Sequence, residues 1–100
     1  MQILLAHSDK KYANKLKKEL LNKNFKDIHE FDDGFAALSY IIQNYCEFII
    51  IEENLPNLNA TDIQRALLFK GIKTKFLIVK NKKPDFRKIE FALAQNYTIS

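Results

Sequence analysis

Residues 47–60, Glu-Phe-Ile-Ile-Ile-Glu-Glu-Asn-Leu-Pro-Asn-Leu-Asn-Ala, constrain the fold of this chain more than any other stretch. Four apolar residues, Phe48, Ile49, Ile50 and Ile51, stand between the carboxylates of Glu47 and Glu52. The run is rich in β-branched residues, too short for a helix, and apolar toward both faces. It predicts a central parallel strand buried on both sides. Pro56 lacks an amide hydrogen and forces a loop just beyond the strand. In an open α/β sheet, ligands and chemistry collect beyond the carboxyl ends of the strands. Glu52 stands at that address.

The rest of the composition fits a single domain around such a strand. A chain of 100 residues can bury roughly 65% of its unfolded surface, and its apolar runs are too short to span a bilayer. The start, Met1-Gln2-Ile3-Leu4-Leu5-Ala6, lacks the basic segment and long apolar run of a signal peptide. A lone cysteine, Cys46, excludes an internal disulfide and suits a reducing, cytoplasmic setting. It is expected to be a buried small hydrophobe rather than a reactive thiol. The net charge of +4 comes largely from lysine. There is no internal repeat, low-complexity segment or linker.

In chain order, residues 3–6 form a short apolar run that predicts a second buried strand. Ser8 or Asp9 can cap the helix that follows. That helix spans Lys10–Asn22, with apolar residues at Tyr12, Ala13, Leu16, Leu20 and Leu21 and lysines filling most of the rest, a solvated face. Residues 25–31 predict a weaker, edge strand, and Asp32-Asp33-Gly34 a turn. Phe35, Leu38, Ile41, Ile42 and Tyr45 outline a second helix. After the central strand, Asn59 or Thr61 can cap a third helix carrying Ile63, Ala66, Leu67 and Phe69, with Gly71 at a left-handed C-cap. Residues 76–79 predict another buried strand, ended by Lys80. Pro84 can open a fourth helix, marked by Phe86, Ile89, Phe91, Ala92 and Leu93, and residues 97–100 a last short strand. The order βαβαβαβαβ implies a parallel sheet with right-handed crossovers.

On these residues the chain resembles the receiver domain of response regulators, the CheY-like type with flavodoxin-like topology. That family's phosphoacceptor strand and loop run acidic, four apolar, Asp, two variable, Met/Leu-Pro, then Met/Leu-Asp/Asn-Gly. Residues 47–60 match that register, and Leu55-Pro56 is the strongest piece. Asp33-Gly34 with Ala37-Leu38 resembles the family's Asp-Gly turn and helix start, and residues 3–6 its first strand. The resemblance covers the whole chain. It implies a three-layer α/β/α fold whose five-stranded parallel sheet has the order 2-1-3-4-5. The family's fifth helix is absent from these residues, so the chain is expected to be the N-terminal part of a longer response regulator.

Every catalytic position of the family is changed here. The resemblance puts the phosphoacceptor at Glu52, the Mg²⁺-holding acidic pair at His7 and Ser8, the switch Ser/Thr at Lys80, the aromatic switch at Tyr97 and the conserved lysine at Ser100; only Tyr97 keeps the family's residue type. Mg²⁺ wants octahedral oxygen ligands with more than one carboxylate or a phosphate. Glu52 beside an imidazole and a hydroxyl is a poor cage, so no cofactor is expected and Mg²⁺ binding should be lost or weak. Phosphoryl transfer depends on metal and cations to neutralise developing charge, and that assistance is mostly gone. The longer Glu52 side chain reaches toward the place of a phosphoryl group, and Lys80 on the neighbouring strand is its expected ion-pair partner.

Plainer roles stand beside these. Glu52 can be a solvated strand-end acid, Lys80 can point to water, Ser8 can serve as a helix cap and Tyr97 as half-buried packing. A transition-metal site of His7 with Glu52 lacks a second histidine.

Three function classes follow: a degenerate receiver acting as a phosphorylation-independent signalling and protein-interaction module, linked to transcription through an attached or partner output domain; a still-phosphorylatable atypical receiver; and a basic nucleic-acid-binding domain. The third rests on net charge alone, with no helix-turn-helix or stacking-aromatic stripe. No enzyme is expected, since no triad, phosphate loop or metal constellation is present. The expected partners are a protein or output domain and a second copy of the chain, since a sheet face covered by the Lys10–Asn22 helix alone would leave apolar area to bury. Neither a membrane nor direct contact with nucleic acid is expected.

Overall fold

The computed structural model describes residues 1–80 together with residues 87, 89 and 91. The elements are β1 (Gln2–Ala6), α1 (Lys10–Asn22), β2 (Asp27–Phe31), α2 (Gly34–Gln43), β3 (Phe48–Glu52), α3 (Ala60–Phe69) and β4 (Lys75–Val79). The strands form one parallel sheet in the order β2-β1-β3-β4. Four strands of the expected order are therefore in place. The fifth, at residues 97–100, lies outside the described residues, as does Pro84.

The centre of the sheet is dry. Ile3, Leu4, Leu5 and Ala6 pair with Phe48, Ile49, Ile50 and Ile51, and none of these eight side chains is more than 1% exposed. Alternation along the strands sends them to two separate cores. Leu4, Ala6, Ile49 and Ile51 pack with Ala37 and Ile41 of α2 and Ile63 and Leu67 of α3. Ile3, Leu5, Phe48 and Ile50 pack with Tyr12, Leu16 and Leu20 of α1. β2 is an edge strand with half-buried or exposed residues throughout.

The ends of the helices follow local chemistry. Asp9 caps α1, its Oδ1 accepting from the N–H groups of Lys11 at 3.0 Å and Tyr12 at 3.4 Å. Asn59 caps α3 by accepting from Asp62 N–H at 2.9 Å. α3 ends at Gly71, whose φ of +71° lets the N–H groups of Gly71 and Ile72 turn back onto Leu68 and Leu67 O.

Three expectations need correction. The sequence predicts a β4 buried like β1 and β3, yet all its residues are only half-buried. Among the described residues it pairs with β3 alone, and its side chains lie against both cores without being fully covered. In α2, Phe35 and Ile42 point outward and Ala37 and Ile41 inward. The helix starts at Gly34 and ends at Gln43, so Tyr45 lies past its end. Finally, α1 does not cover its face alone. Arg87, Ile89 and Phe91 are helical, and Ile89, 5% exposed, packs into the core beneath α1. A right-handed crossover from β4 to a strand beyond it would place its helix on the α2 and α3 face, as α3 between β3 and β4 is, so the place of Ile89 beneath α1 departs from that expectation.

Gly34 is fixed by a close approach. A Cβ there would lie 2.0 Å from Leu58 O and 2.7 Å from Leu58 Cβ. Glycine-to-alanine in an open helix gains up to about 1 kcal/mol, whereas overpacking against backbone costs about 1–3 kcal/mol. The second effect wins at this position. Gly34→Ala is expected to destabilise the protein by about 2 kcal/mol, measured by urea denaturation; an unchanged or raised midpoint would refute the close contact.

Candidate functional site

β1 and β3 are parallel neighbours that end side by side, Ala6 against Ile51. Their next residues, His7 and Glu52, must therefore meet at the same end of the sheet. Ser8 follows at the turn into α1, where the chain reverses and leaves backbone N–H groups without strand partners. Both donors of Ser8 go to Glu52. Its backbone N–H donates to Glu52 Oε1 at 2.9 Å and its hydroxyl donates to the same oxygen at 2.7 Å. Asp9, not Ser8, caps α1, so the Ser8 hydroxyl is free for this contact. Glu52 Oε2 accepts no hydrogen bond from the described residues, and the Glu52 side chain is 19% exposed.

His7 is buried, its side chain 2% exposed. The Asp9 N–H donates to His7 Nδ1 at 2.9 Å, so Nδ1 is unprotonated and the ring proton sits on Nε2. Nδ1 lies 4.0 Å from Glu52 Oε1. Two acceptors face each other there, and the proximity is not a hydrogen bond. The ring stacks on Tyr12 with centroids 4.3 Å apart and planes 7° from parallel.

The sequence points to Lys80 as the partner of Glu52, and the structure replaces it with Ser8. Among the described residues no ion pair joins Glu52 to Lys80. Lys80 is exposed, one residue beyond the end of β4. A long, strongly hydrated ammonium loses more on being held than the short, pre-positioned Ser8 donors do. Tyr97 and Ser100 lie outside the described residues.

The loop after β3 is held from below by the α2 N-terminus. Gly34 N–H donates to Pro56 O at 2.9 Å, and the side chain of Asn57, at φ +70°, donates to Asp33 Oδ2. Asp33 Oδ1 caps α2 by accepting from Phe35 N–H at 2.7 Å and Ala36 N–H at 3.1 Å. The Ala36 N–H, then the Asn57 amide, hold the Asp33 carboxyl below its ordinary value of 3.8. The sequence marks Asp33-Gly34 as a turn but does not show its grip on the Leu55-Pro56 loop. An acidic residue before a glycine at a helix start is the available signal. Cys46 is buried; burial first, then Asp27 and Glu47, pushes its thiol up to about 11. It is therefore not a ready nucleophile.

Neither a family model nor a curated protein matches this chain. Among solved structures, it is similar to the N-terminal domain of an uncharacterized protein from Wolinella succinogenes. The TM-score is 0.70 at 14% identity, over 96% of this chain and 74% of that one. The likeness is one of fold, and it agrees with a CheY-like arrangement of the parallel sheet. No helix among the described residues is long and apolar enough to cross a membrane.

Two outcomes check this geometry. A bond to a charged group is worth roughly 1.5–3 kcal/mol when buried, and Glu52 is partly solvated. Ser8→Ala is therefore expected to cost about 1 kcal/mol, with the residue 8 amide proton still shifted downfield in NMR; an upfield amide would mean that this N–H and Glu52 are apart. For Asp33 the folded value is the lower one. Its contribution is present above about pH 4 and fades as pH falls through the depressed folded value. Asp33→Ala should lower the melting temperature at neutral pH and narrow its gap from the parent protein in acid. A gap that widens in acid would contradict the assigned direction.

Proposed function

We propose that this chain is a degenerate receiver-like module that acts through protein partners rather than by accepting phosphate. The observation that carries this reading is the Glu52 carboxylate. It sits at the end of β3, where the resemblance puts a phosphoacceptor, and two donors from Ser8 converge on one of its oxygens. Its surroundings are one imidazole, one hydroxyl and one carboxylate, a donor set that suits Mg²⁺ poorly. Without metal, charge developing on a transferred phosphoryl group would be poorly stabilised.

A permanent negative group at this place stands in for the signal that a receiver otherwise acquires. Regulation then comes from the amount of protein or from its partner. The partner is a protein or output domain, in a cytoplasmic two-component or transcriptional setting, and a second copy of the chain is one form it can take. Exposed apolar side chains support a binding role: Leu68 and Phe69 at the end of α3 are 71% and 93% exposed, and adjacent large apolar residues left in water favour association.

The still-phosphorylatable alternative rests on Glu52 Oε2, the oxygen that accepts no hydrogen bond from the described residues. Incubation with acetyl phosphate and Mg²⁺ separates the two readings. The intact mass is expected to stay unchanged, and the amide signals of His7 and Ser8 to stay in place when Mg²⁺ is added. A phosphoryl adduct at Glu52 would overturn the proposal.

A further inference from the structure

A cavity of about 330 Å³ opens beside α1 at the carboxyl ends of β1 and β2, lined by His7, Lys10, Asn14, Glu30, Phe31 and Asp32. It is separate from the Glu52–Ser8 contact. His7 lies between them: its Nδ1 edge faces Glu52, and Nε2 lies on the far side of the ring. Nε2 carries the proton, as argued above, and it donates to no protein atom among the described residues. It is also not among their fully buried unpaired atoms. His7 lines the cavity, and Nε2 is the ring nitrogen turned away from Glu52. A side chain 2% exposed thus holds one unused donor toward an open space.

The charges around the cavity are similarly unused. Glu30 is engaged by Lys17 at 3.3 Å. Lys10 and Asp32 both line the cavity, yet neither forms an ion pair among the described residues, with each other or with any other group. Lys10 stands in the first turn of α1, where the helix dipole also favours negative charge. Asp32 stands just past β2. The cavity therefore offers a cation, an imidazole N–H and an amide on one wall, and a free carboxylate on another. Its volume is at the low end of small-molecule sites, roughly 300–1,000 Å³.

We infer that this cavity binds a small zwitterion of the free-amino-acid class, its carboxylate held by Lys10 and His7 Nε2–H and its ammonium by Asp32. A lone anion would leave Asp32 unanswered and be repelled by it. A lone cation would meet the same objection at Lys10. Phe31 adds an apolar wall for a short side chain.

The test is an NMR titration of the full chain with glycine and with L-serine, with acetate and methylammonium as single-charge controls. The amino acids are expected to give saturable shifts at Lys10, Asn14 and Asp32 and at the His7 Nε2 resonance, while the controls give none. Lys10→Ala and Asp32→Asn, neither of them at a core position, should each weaken binding by about tenfold or more without loss of spectral dispersion. His7→Gln is less informative because His7 is buried, so the Lys10 and Asp32 variants decide the outcome. Absence of saturation with either amino acid, saturation by acetate alone, or binding unchanged in Lys10→Ala would each overturn the inference. Phosphoryl transfer to Glu52 could succeed or fail without altering these results.

Discussion

The pairing of β1 with β3 is the interaction on which the rest of the molecule depends. Each large side chain that these strands bury is worth roughly 1.5–3 kcal/mol, more than most polar contacts at the surface. Because the strands are parallel and in register from Ile3↔Phe48 to Ala6↔Ile51, they end at the same level. Whatever follows them is brought together without further design. His7, Ser8 and Glu52 are neighbours for that reason, although 44 residues separate Ser8 from Glu52.

The same pairing leaves the chain after Glu52 to be steered. The loop is turned by Pro56, lets Asn57 take a left-handed backbone, and rests on the glycine that opens α2. Glu53 N–H donates to Val79 O at 2.9 Å, and Ala60 N–H donates to Glu53 O at 3.1 Å. One residue beyond Glu52 is thus tied both to β4 and to the start of α3. The position of the carboxylate is set by backbone on either side of it, and Ser8 selects its rotamer.

Much of this is legible in the order of residues. The apolar runs at residues 3–6 and 48–51 locate the two dry strands because only a strand covered on both faces tolerates such a pattern. Gly71 marks the end of α3 because its conformation is costly for other residues. The failures share a cause. Which face of α2 is buried, how far β4 is covered and where Ile89 packs all depend on neighbours far away in sequence. The apolar pattern in α2 is carried by Phe35, Leu38, Ile41 and Ile42, yet Phe35 is exposed and the small Ala37 is buried. The close approach of Leu58 to Gly34 seats the start of α2 against that loop, and the helix face turned to the core is then the one that carries Ala37 and Ile41.

The partner of Glu52 is hidden for a different reason. Charge complementarity singles out Lys80, but a sequence does not show what local donors a turn leaves unused. Ser8 sits where β1 has ended and α1 has not begun, so its N–H has no place in either ladder, and Asp9 relieves its hydroxyl of capping. Two neutral donors at short range hold the carboxylate without cancelling its charge. An ion pair with Lys80 would have neutralised Glu52 and would weaken as salt rises. Hydrogen bonds from Ser8 keep the end of the sheet negative and depend little on ionic strength. The proposed partner-binding role fits the second arrangement, since an ion pair would hide the charge.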